Sequence, residues 1–459
     1  MIETDFKTSL PLFPYQIKGA EFLHNIGSGL LGDSPGVGKT LQVIALAEHT
    51  KAEKILVFCP AVLKHQWANE LKIFVPHRTS VVIEGTKKER AELWKKDVHY
   101  YLVNYELLLR DFADMNIREW CYIFADEATK ISNARAKQSR MIKKLRAKRR
   151  IAMTGTPISN KAQDCWNLVD WTNPGVLGNY WGFIQRYCLK NQWGGIYAYT
   201  NMEELRDKLQ KWMIRRTKEE VLPDLPEKIT TDVPFVLSEE EAVLQKKIKQ
   251  EILHEIQATD INKLETPMTI QYTLTKFTRL RQLADSLELL GENKKSSKLE
   301  VLQELLLENI EDGRKVLIFS EFAQMCKILK RELVEYNPVM IVGETPNEQR
   351  QGLLDKFNTD SACRICVMSS AGTYGLNITS ASVIINYDLP FSLAKLEQRI
   401  GRAHRYGQKN KVHVFNLLGK KTADEAIQKI IHAKRELSGQ LLGDLPVSME
   451  DIKDMLLYG

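Results

Sequence analysis

No stretch of this 459-residue chain approaches the ~18 to 20 consecutive apolar residues that a membrane span needs, and no apolar run of signal-peptide form opens it. These absences predict a soluble, intracellular protein. Cysteine is scarce, and the seven present follow no disulfide framework, which fits a reducing compartment. Cys363 and Cys366 form a lone C-x-x-C, but they sit in the apolar run ACRICVMSS, and no second Cys or His pair stands at ligand spacing. That pattern reads as a core strand rather than a zinc site. Internal repeats and low-complexity segments are missing as well. The charge excess is small, with 65 Lys and Arg against 58 Asp and Glu for a net +7. Its distribution says more, because the run ARAKQSRMIKKLRAKRR from Ala134 to Arg150 holds nine basic residues and no acid. Such a run is either a solvated helix face or a contact for a phosphate backbone, and the second would weaken steeply with salt.

What is present is a regular alternation. Apolar runs such as ILVFCP (Ile55 to Pro60), SVVIEG (Ser80 to Gly85), YYLVNY (Tyr100 to Tyr105), YIFADE and RIAMTG read as strands separated by amphipathic helices. A second set follows with KVLIFS, VMIVG (Val339 to Gly343), RICVMSS, SVIINYD (Ser382 to Asp388) and VHVFNLL. Alternation of this kind marks parallel sheets with helices on both faces, an α/β class, and the length is too great for one ordinary core. The runs predict a first lobe over residues 1–160, largely helical protrusions and a linker over 161–295, a second lobe over 296–440 and a tail over 441–459. Leu237 to Ile256 and Leu274 to Leu290 are expected helices.

Three stretches carry chemistry. In GDSPGVGKT, Gly36 and Gly38 would let backbone N–H groups turn onto phosphate oxygens, with Lys39 reaching the β- and γ-phosphates and Thr40 holding Mg²⁺. The following LQVIALAEH has helical spacing, so a positive helix end faces the same phosphates. The strict pattern would place glycine where this chain has Asp33. In IFADEATK, a buried strand ends on adjacent carboxylates, with Asp126 suited to the Mg²⁺ shell and Glu127 to orienting or deprotonating the attacking water. The third stretch, QRIGRAHRYGQ from Gln398, carries Arg402 and Arg405 three apart on an expected helix, hence on one face. Guanidinium groups so placed can reach a γ-phosphate presented by another domain, which requires two lobes to close on one ATP.

The colinear order LFPYQIKGAEFL, GDSPGVGKT, CPAVLKHQW, VNYELL, DEAT, MTGTPISN, VLIFSEF, SSAGTYGLNI and QRIGRAHRYGQ resembles a superfamily 2 helicase, and MIRRTKEEVLPDLPEK, SSKLEVL and RAHRYGQ make it similar to the Snf2 family. The resemblance covers residues ~10 to ~435 and implies two RecA-like parallel-sheet lobes with short, mainly helical insertions. By position it implies that Gln16 reads adenine, that Thr154 and Thr156 couple hydrolysis to lobe movement, and that Gly375 and Gln398 approach the nucleotide. It also implies nucleic-acid contacts from Lys64, Asn104 and Tyr105, and from Ser320, Ser370 and Thr373. The chain departs from the family at Thr129, where His is usual, and at Leu389-Pro390-Phe391, where Trp-Asn-Pro is usual.

Five tryptophans crowd into residues 166–212. Trp166, Trp171 and Trp212 lie on apolar helical faces and read as packing. Trp193 precedes Gly194-Gly195, a hairpin signal, so Trp193 with Tyr197 and Tyr199 is the expected DNA-junction element. The stretch RYCLKNQWGGIYAYTNMEELRDKLQKWMIRR resembles the subgroup that re-anneals DNA and remodels forks. The leading expectation is therefore an ATP- and Mg²⁺-dependent DNA translocase, little concerned with base sequence, that migrates forks or junctions in replication, recombination or repair. The alternatives are a motor that displaces proteins or RNA polymerase from duplex DNA, and a non-catalytic ATP-gated DNA-binding module. Economy of length points to the cytoplasm of a bacterium or a phage-infected host.

Overall fold

The computed structural model describes residues 8–155, 157, 162–190, 196–258, 277–292, 294, 296–310, 313–370 and 377–441. They divide into two units, chiefly Met1–Pro223 and Asp224–Arg435. The first is built on β1 (Gly29–Leu31), β2 (Ile55–Cys59), β3 (Ser80–Val82), β4 (Tyr100–Asn104), β5 (Trp120–Asp126) and β6 (Ala147–Met153). A short antiparallel hairpin of β7 (Cys188–Lys190) and β8 (Ile196–Tyr199) follows, and β9 (Met213–Ile214) completes the main sheet. Its order is β3-β4-β2-β5-β6-β1-β9, parallel throughout. All five residues of β2 are buried, as a strand covered by helices on both faces must be.

The second unit contains β10 (Lys228–Phe235), β11 (Val316–Ser320), β12 (Val339–Ile341), β13 (Ile365–Ser369), β14 (Val383–Asn386) and β15 (Val412–Gly419), in the parallel order β10-β15-β14-β11-β13-β12. Strand alternation sorts its core into two layers. Leu317, Phe319, Cys366, Met368 and Ile384 pack on one face, and Val316, Ile318, Ile365, Val367, Val383 and Ile385 on the other. Cys363 and Cys366 are both fully buried, with free thiols, in the expected core strand and its approach.

Every expected strand is found, but the span expected as protrusions and linker needs correction. Within 161–295, β9 and β10 are edge strands of the two sheets rather than connection. Two residues carry no periodic signal, and the polar residues of β10 stay partly or fully exposed, as an edge allows. The expected helix at 237–256 is Glu239–Ala258. From the second expected helix, residues 277–285 are helical, a 3₁₀ turn spans Leu287–Leu290, and residues 274–276 lie outside the described residues. The basic run is only partly a helix, Lys137–Ile142, because its last residues enter β6. There Arg149 Nη1 donates to the Tyr122 hydroxyl at 2.9 Å and Arg150 Nη2 to the Leu145 carbonyl at 3.1 Å. The tail after residue 441 lies outside the described residues, and no described helix is long and apolar enough to cross a membrane.

The SSKLEVL block forms the start of the helix Ser297–Ile310 and explains its lysine. Lys298 is fully buried and its Nζ donates to Asp285 Oδ1 at 2.7 Å and Asp424 Oδ2 at 2.9 Å, with the Tyr387 ring 5.2 Å away. The Asp285 carbonyl accepts from the Ser296 and Tyr387 hydroxyls, and Asp424 also accepts from Gly419 N. Burial alone would lower the lysine's pKa, yet the two carboxylates hold it above its ordinary value, while burial pushes the Asp285 carboxyl well up.

Candidate functional site

Three loops of the first unit emerge from the carboxyl ends of the adjacent strands β5, β6 and β1, the position at which open parallel sheets bind ligands. After β1, Gly36 and Gly38 have φ of 86° and 75°, the left-handed region that glycine enters without strain. Gly38 caps the helix Lys39–His49, so the positive end of that helix faces the loop. A side chain at Gly38 would also strike Gln16, since a Cβ there would lie 2.5 Å from Gln16 Nε2. Gln16 is buried directly over the loop, accepting from Phe13 N at 2.9 Å through Oε1, and Tyr15 donates from its hydroxyl to the Val37 carbonyl at 3.0 Å. The structure thus joins Gln16 to the phosphate-loop residues. Lys39 Nζ donates to the Asp33 and Ser34 carbonyls at 2.8 and 3.2 Å. Thr40 follows in the first helical turn, half-buried.

At the end of β5, Asp126 is held on both oxygens: Glu127 N donates to Oδ1 at 3.0 Å and Trp67 Nε1 to Oδ2 at 2.9 Å. Its carbonyl accepts from the Tyr105 hydroxyl at 2.8 Å. Part of the side chain reaches the surface, but protein atoms crowd it, and this desolvation holds its carboxyl above the ordinary range against the pull of Trp67 and Lys39. Glu127 adopts φ 51° and ψ 52°, a left-handed conformation costly for a side-chain-bearing residue and one that clusters at functional sites. Thr129 donates weakly to the Glu127 carbonyl at 3.5 Å. After β6, Thr154 is fully buried with its N–H on the Leu31 carbonyl, and Gly155 abuts Pro35 so closely that a Cβ would lie 2.8 Å from that ring. The third loop is therefore packed on the first. Thr156 lies outside the described residues.

The expected nucleic-acid contacts fare differently. Lys64 is buried, with Nζ donating to the Ile83 carbonyl at 2.9 Å, Tyr105 is spent on Asp126, and Ser320 is buried with its hydroxyl donating to Asp388 Oδ2 at 2.5 Å. All three turn inward, where they support neighbouring groups. Asn104 is half-exposed and donates to Glu106 Oε2 at 2.7 Å. Thr373, Gly375 and Trp193 lie outside the described residues. Of the expected aromatics, Trp166 and Trp171 are buried and Trp212 half-buried, while Tyr199 turns inward to accept from Ala162 N at 3.4 Å. Trp181 instead is 65% exposed, with Lys190 Nζ 5.7 Å from its ring centre.

In the second unit the arginine segment also needs correction. The helix Leu393–Ile400 ends before Arg402, and Arg402 and Arg405 stand half-buried in successive turns. The turns are fixed by buried Gln408, whose Nε2 donates to the Thr379, Ala381 and Ala403 carbonyls, and by His404 Nε2 at 2.9 Å from the Pro226 carbonyl. Gln398, on that helix, is half-buried. Leu389 and Phe391 seat the 277–285 helix: Arg281 donates to the Leu389 carbonyl at 2.8 Å and lies 4.7 Å from the Phe391 ring.

Sequence reasoning missed Glu321. Arg399 Nη2 donates to its Oε1 at 2.8 Å, the Ser370 hydroxyl donates to the same oxygen, and Lys395 approaches Oε2 at 3.4 Å. Burial would raise its pKa, but Arg399, Lys395 and Ser370 outweigh burial and bring it from 4.5 to about 2. A depressed carboxylate stabilises the fold above its unfolded pKa and loses that contribution as pH falls through the folded value. Parent and Glu321→Gln protein should therefore differ on the order of 3 kcal/mol near pH 6 in urea unfolding of the second unit, and the gap should close between pH 4.5 and 2. A gap independent of pH would refute this assignment.

A phosphate loop, an acidic strand end and a third loop packed on the first, all on neighbouring strands of a parallel sheet, define a nucleotide-binding α/β protein. Residues 15–289 match the SNF2-related domain and residues 297–407 the helicase conserved C-terminal domain. The chain belongs to the Snf2 family of superfamily 2, and it carries the two parallel-sheet α/β units described above. It is 30% identical over 439 residues to an uncharacterized ATP-dependent helicase of Mycoplasma genitalium, covering 92% of this chain and 41% of that protein. It is 29% identical over 452 residues to the human SWI/SNF-related matrix-associated actin-dependent regulator of chromatin subfamily A member 1, covering 93% and 43%. The chain thus spans less than half the length of these two curated relatives. A solved structure of the Sulfolobus solfataricus SWI2/SNF2 ATPase core in complex with dsDNA is 30% identical, covers 100% of this chain and 97% of that one, and has a TM-score of 0.48.

Proposed function

We propose that the chain is an ATP-dependent DNA translocase that acts on branched DNA, migrating forks or junctions. The observation that carries the reading is the convergence of the Gly36–Gly38 loop, the Lys39–His49 helix start and the Asp126–Glu127 turn at the carboxyl ends of β1 and β5, the two strands that flank β6. Backbone N–H groups and Lys39 bind and orient the phosphates, Gln16 recognises the base, and Glu127 accepts a proton from, or orients, the attacking water. Arg402 and Arg405 stabilise charge that develops on the transferred phosphoryl group.

Magnesium suits this site. Each Asp126 oxygen makes one hydrogen bond and keeps a further lone pair, and with the Thr40 hydroxyl it would supply the one or two protein ligands that a phosphate-bound Mg²⁺ takes. When bound, the ion neutralises phosphate charge. Among the described residues no cluster of three or more His, Cys, Asp or Glu could hold a metal alone.

Affinity for the polynucleotide would come from Lys and Arg against phosphate, with no base reading. The exposed pair Trp181 and Lys190 beside the β7–β8 hairpin favours a strand with unpaired bases, since stacking on an aromatic ring adds ~1 to 3 kcal/mol per base. ATP turnover by purified protein, measured separately with single-stranded DNA, duplex DNA, a fork, a four-way junction and RNA, tests the reading. Greatest stimulation is expected with the fork or junction. Equal stimulation by plain duplex would replace it with a motor that works against bound proteins, and no turnover on any of them would leave an ATP-gated binding module.

A further inference from the structure

The residue at the start of the phosphate loop is an aspartate, and its partner comes from the far end of the first unit. Asp33 is fully buried. Arg216 grips it through two bonds, Nε to Oδ1 at 3.0 Å and Nη2 to Oδ2 at 2.5 Å. Gln42, on the helix that follows the loop, closes the ring: its Nε2 donates to Asp33 Oδ2 at 3.1 Å and its Oε1 accepts from Arg216 Nη2 at 3.0 Å. The third guanidinium nitrogen, Nη1, donates to the Tyr15 carbonyl, and the guanidinium lies 5.6 Å from the Tyr15 ring centre. The packing leaves no slack, because a Cβ on Gly19 would fall 1.9 Å from Gln42 Oε1 and 2.7 Å from Arg216 Nη2.

The backbone brings Arg216 there. Beyond β9 the chain continues beside the loop, with Gly32 N on the Ile214 carbonyl and Ser34 N on the Arg216 carbonyl. One planar cation therefore touches two groups that a nucleotide must meet together. Through Asp33 it reaches the loop whose Asp33 carbonyl holds Lys39, and through Tyr15 it reaches the first turn of the helix Pro14–Ile26, which presents Gln16. Lysine could supply the charge but not the fork, since a guanidinium alone presents parallel donors to a carboxylate and a further donor in the same plane.

We propose that Arg216 is a positioning residue of the nucleotide site, locking the phosphate loop to the Tyr15–Gln16 turn so that phosphate and base are recognised in a fixed relation. The proposal rests on the ATP-binding reading above. Its test is Arg216→Lys, with ATP and GTP each titrated for KM and kcat and with fluorescent-nucleotide binding measured directly. The variant should melt within about 5 °C of the parent. Its KM for ATP should rise about tenfold or more, kcat should change by less than about threefold, and the preference for ATP over GTP should shrink. A role in stability alone would lower the melting temperature and leave KM and base preference in place. Should Arg216→Lys fail to fold, the double variant D33N/R216Q removes both buried charges and allows the same comparison. A folded variant with parental KM and base preference overturns the proposal, as does loss of folding in both variants, which would confine Arg216 to stability. If the parent itself binds no ATP, the functional reading fails instead.

Discussion

Lys39→Ala protein should bind DNA as the parent does and hydrolyse ATP about a hundred- to a thousandfold more slowly. The magnitude follows from removing a preorganised positive donor from the place where phosphoryl charge develops. Lys39 is an integral part of the loop, since its Nζ bonds to the Asp33 and Ser34 carbonyls and its charge pulls the crowded Asp126 carboxyl down. The alanine variant loses the proposed phosphate ligand and the counter-charge to Asp126 together. Polynucleotide binding depends on other cations and should survive. Arg405→Ala should match it in turnover while keeping nucleotide affinity, because a group that acts only as charge develops leaves ground-state binding alone. Steady-state turnover beside a DNA-binding isotherm decides the matter. Normal hydrolysis by either variant would remove that residue from the site.

The second large effect is on stability. Lys298→Met should destabilise the second unit by about 3 to 5 kcal/mol, because it strips the cation from two carboxylates that have no solvent to turn to. For a unit of this size that is roughly 10 °C in the melting transition. Part of the cost is relieved by protonation, since the Asp285 carboxyl already lies well above its ordinary range through burial. Replacing the charges together, as in D285N/K298M/D424N, should recover much of the loss, as a buried ion set removed whole is often near neutral. Calorimetry of the three proteins checks both parts. A single variant that melts with the parent would show that the buried triad carries no net stability.

How much of this was legible in the sequence depends on distance along the chain. Each apolar run expected as a strand is one, because a buried parallel strand must be apolar along its whole length and the signal is local. The Gly36–Gly38 loop and the Asp126–Glu127 turn were legible for the same reason: each conformation is encoded in a few consecutive residues. The rest depends on pairs that folding alone brings together. Trp67 and Asp126 stand 59 residues apart, Arg216 and Asp33 183 apart, and Lys298 and Asp424 126 apart. Inward-facing Lys64, Tyr105 and Ser320 are the converse case, since a polar residue within a motif looks available until its partners are known. The turns bearing Arg402 and Arg405 escaped notice because their spacing also fits a helix. What fixes them is Gln408, bonding carbonyls 27 and 29 residues back.

The two edge strands have a further consequence for how the protein is made. The last strand of the first sheet ends at Ile214 and the first strand of the second begins at Lys228, so neither sheet borrows a strand from the other. On the ribosome, the whole hydrogen-bond ladder of the amino-terminal sheet emerges before any strand of the later one does. Asp33 receives Arg216 at the close of that interval. The nucleotide loop is thus the last part of the first sheet to be secured, and by then nothing from the second sheet can compete for its open edge.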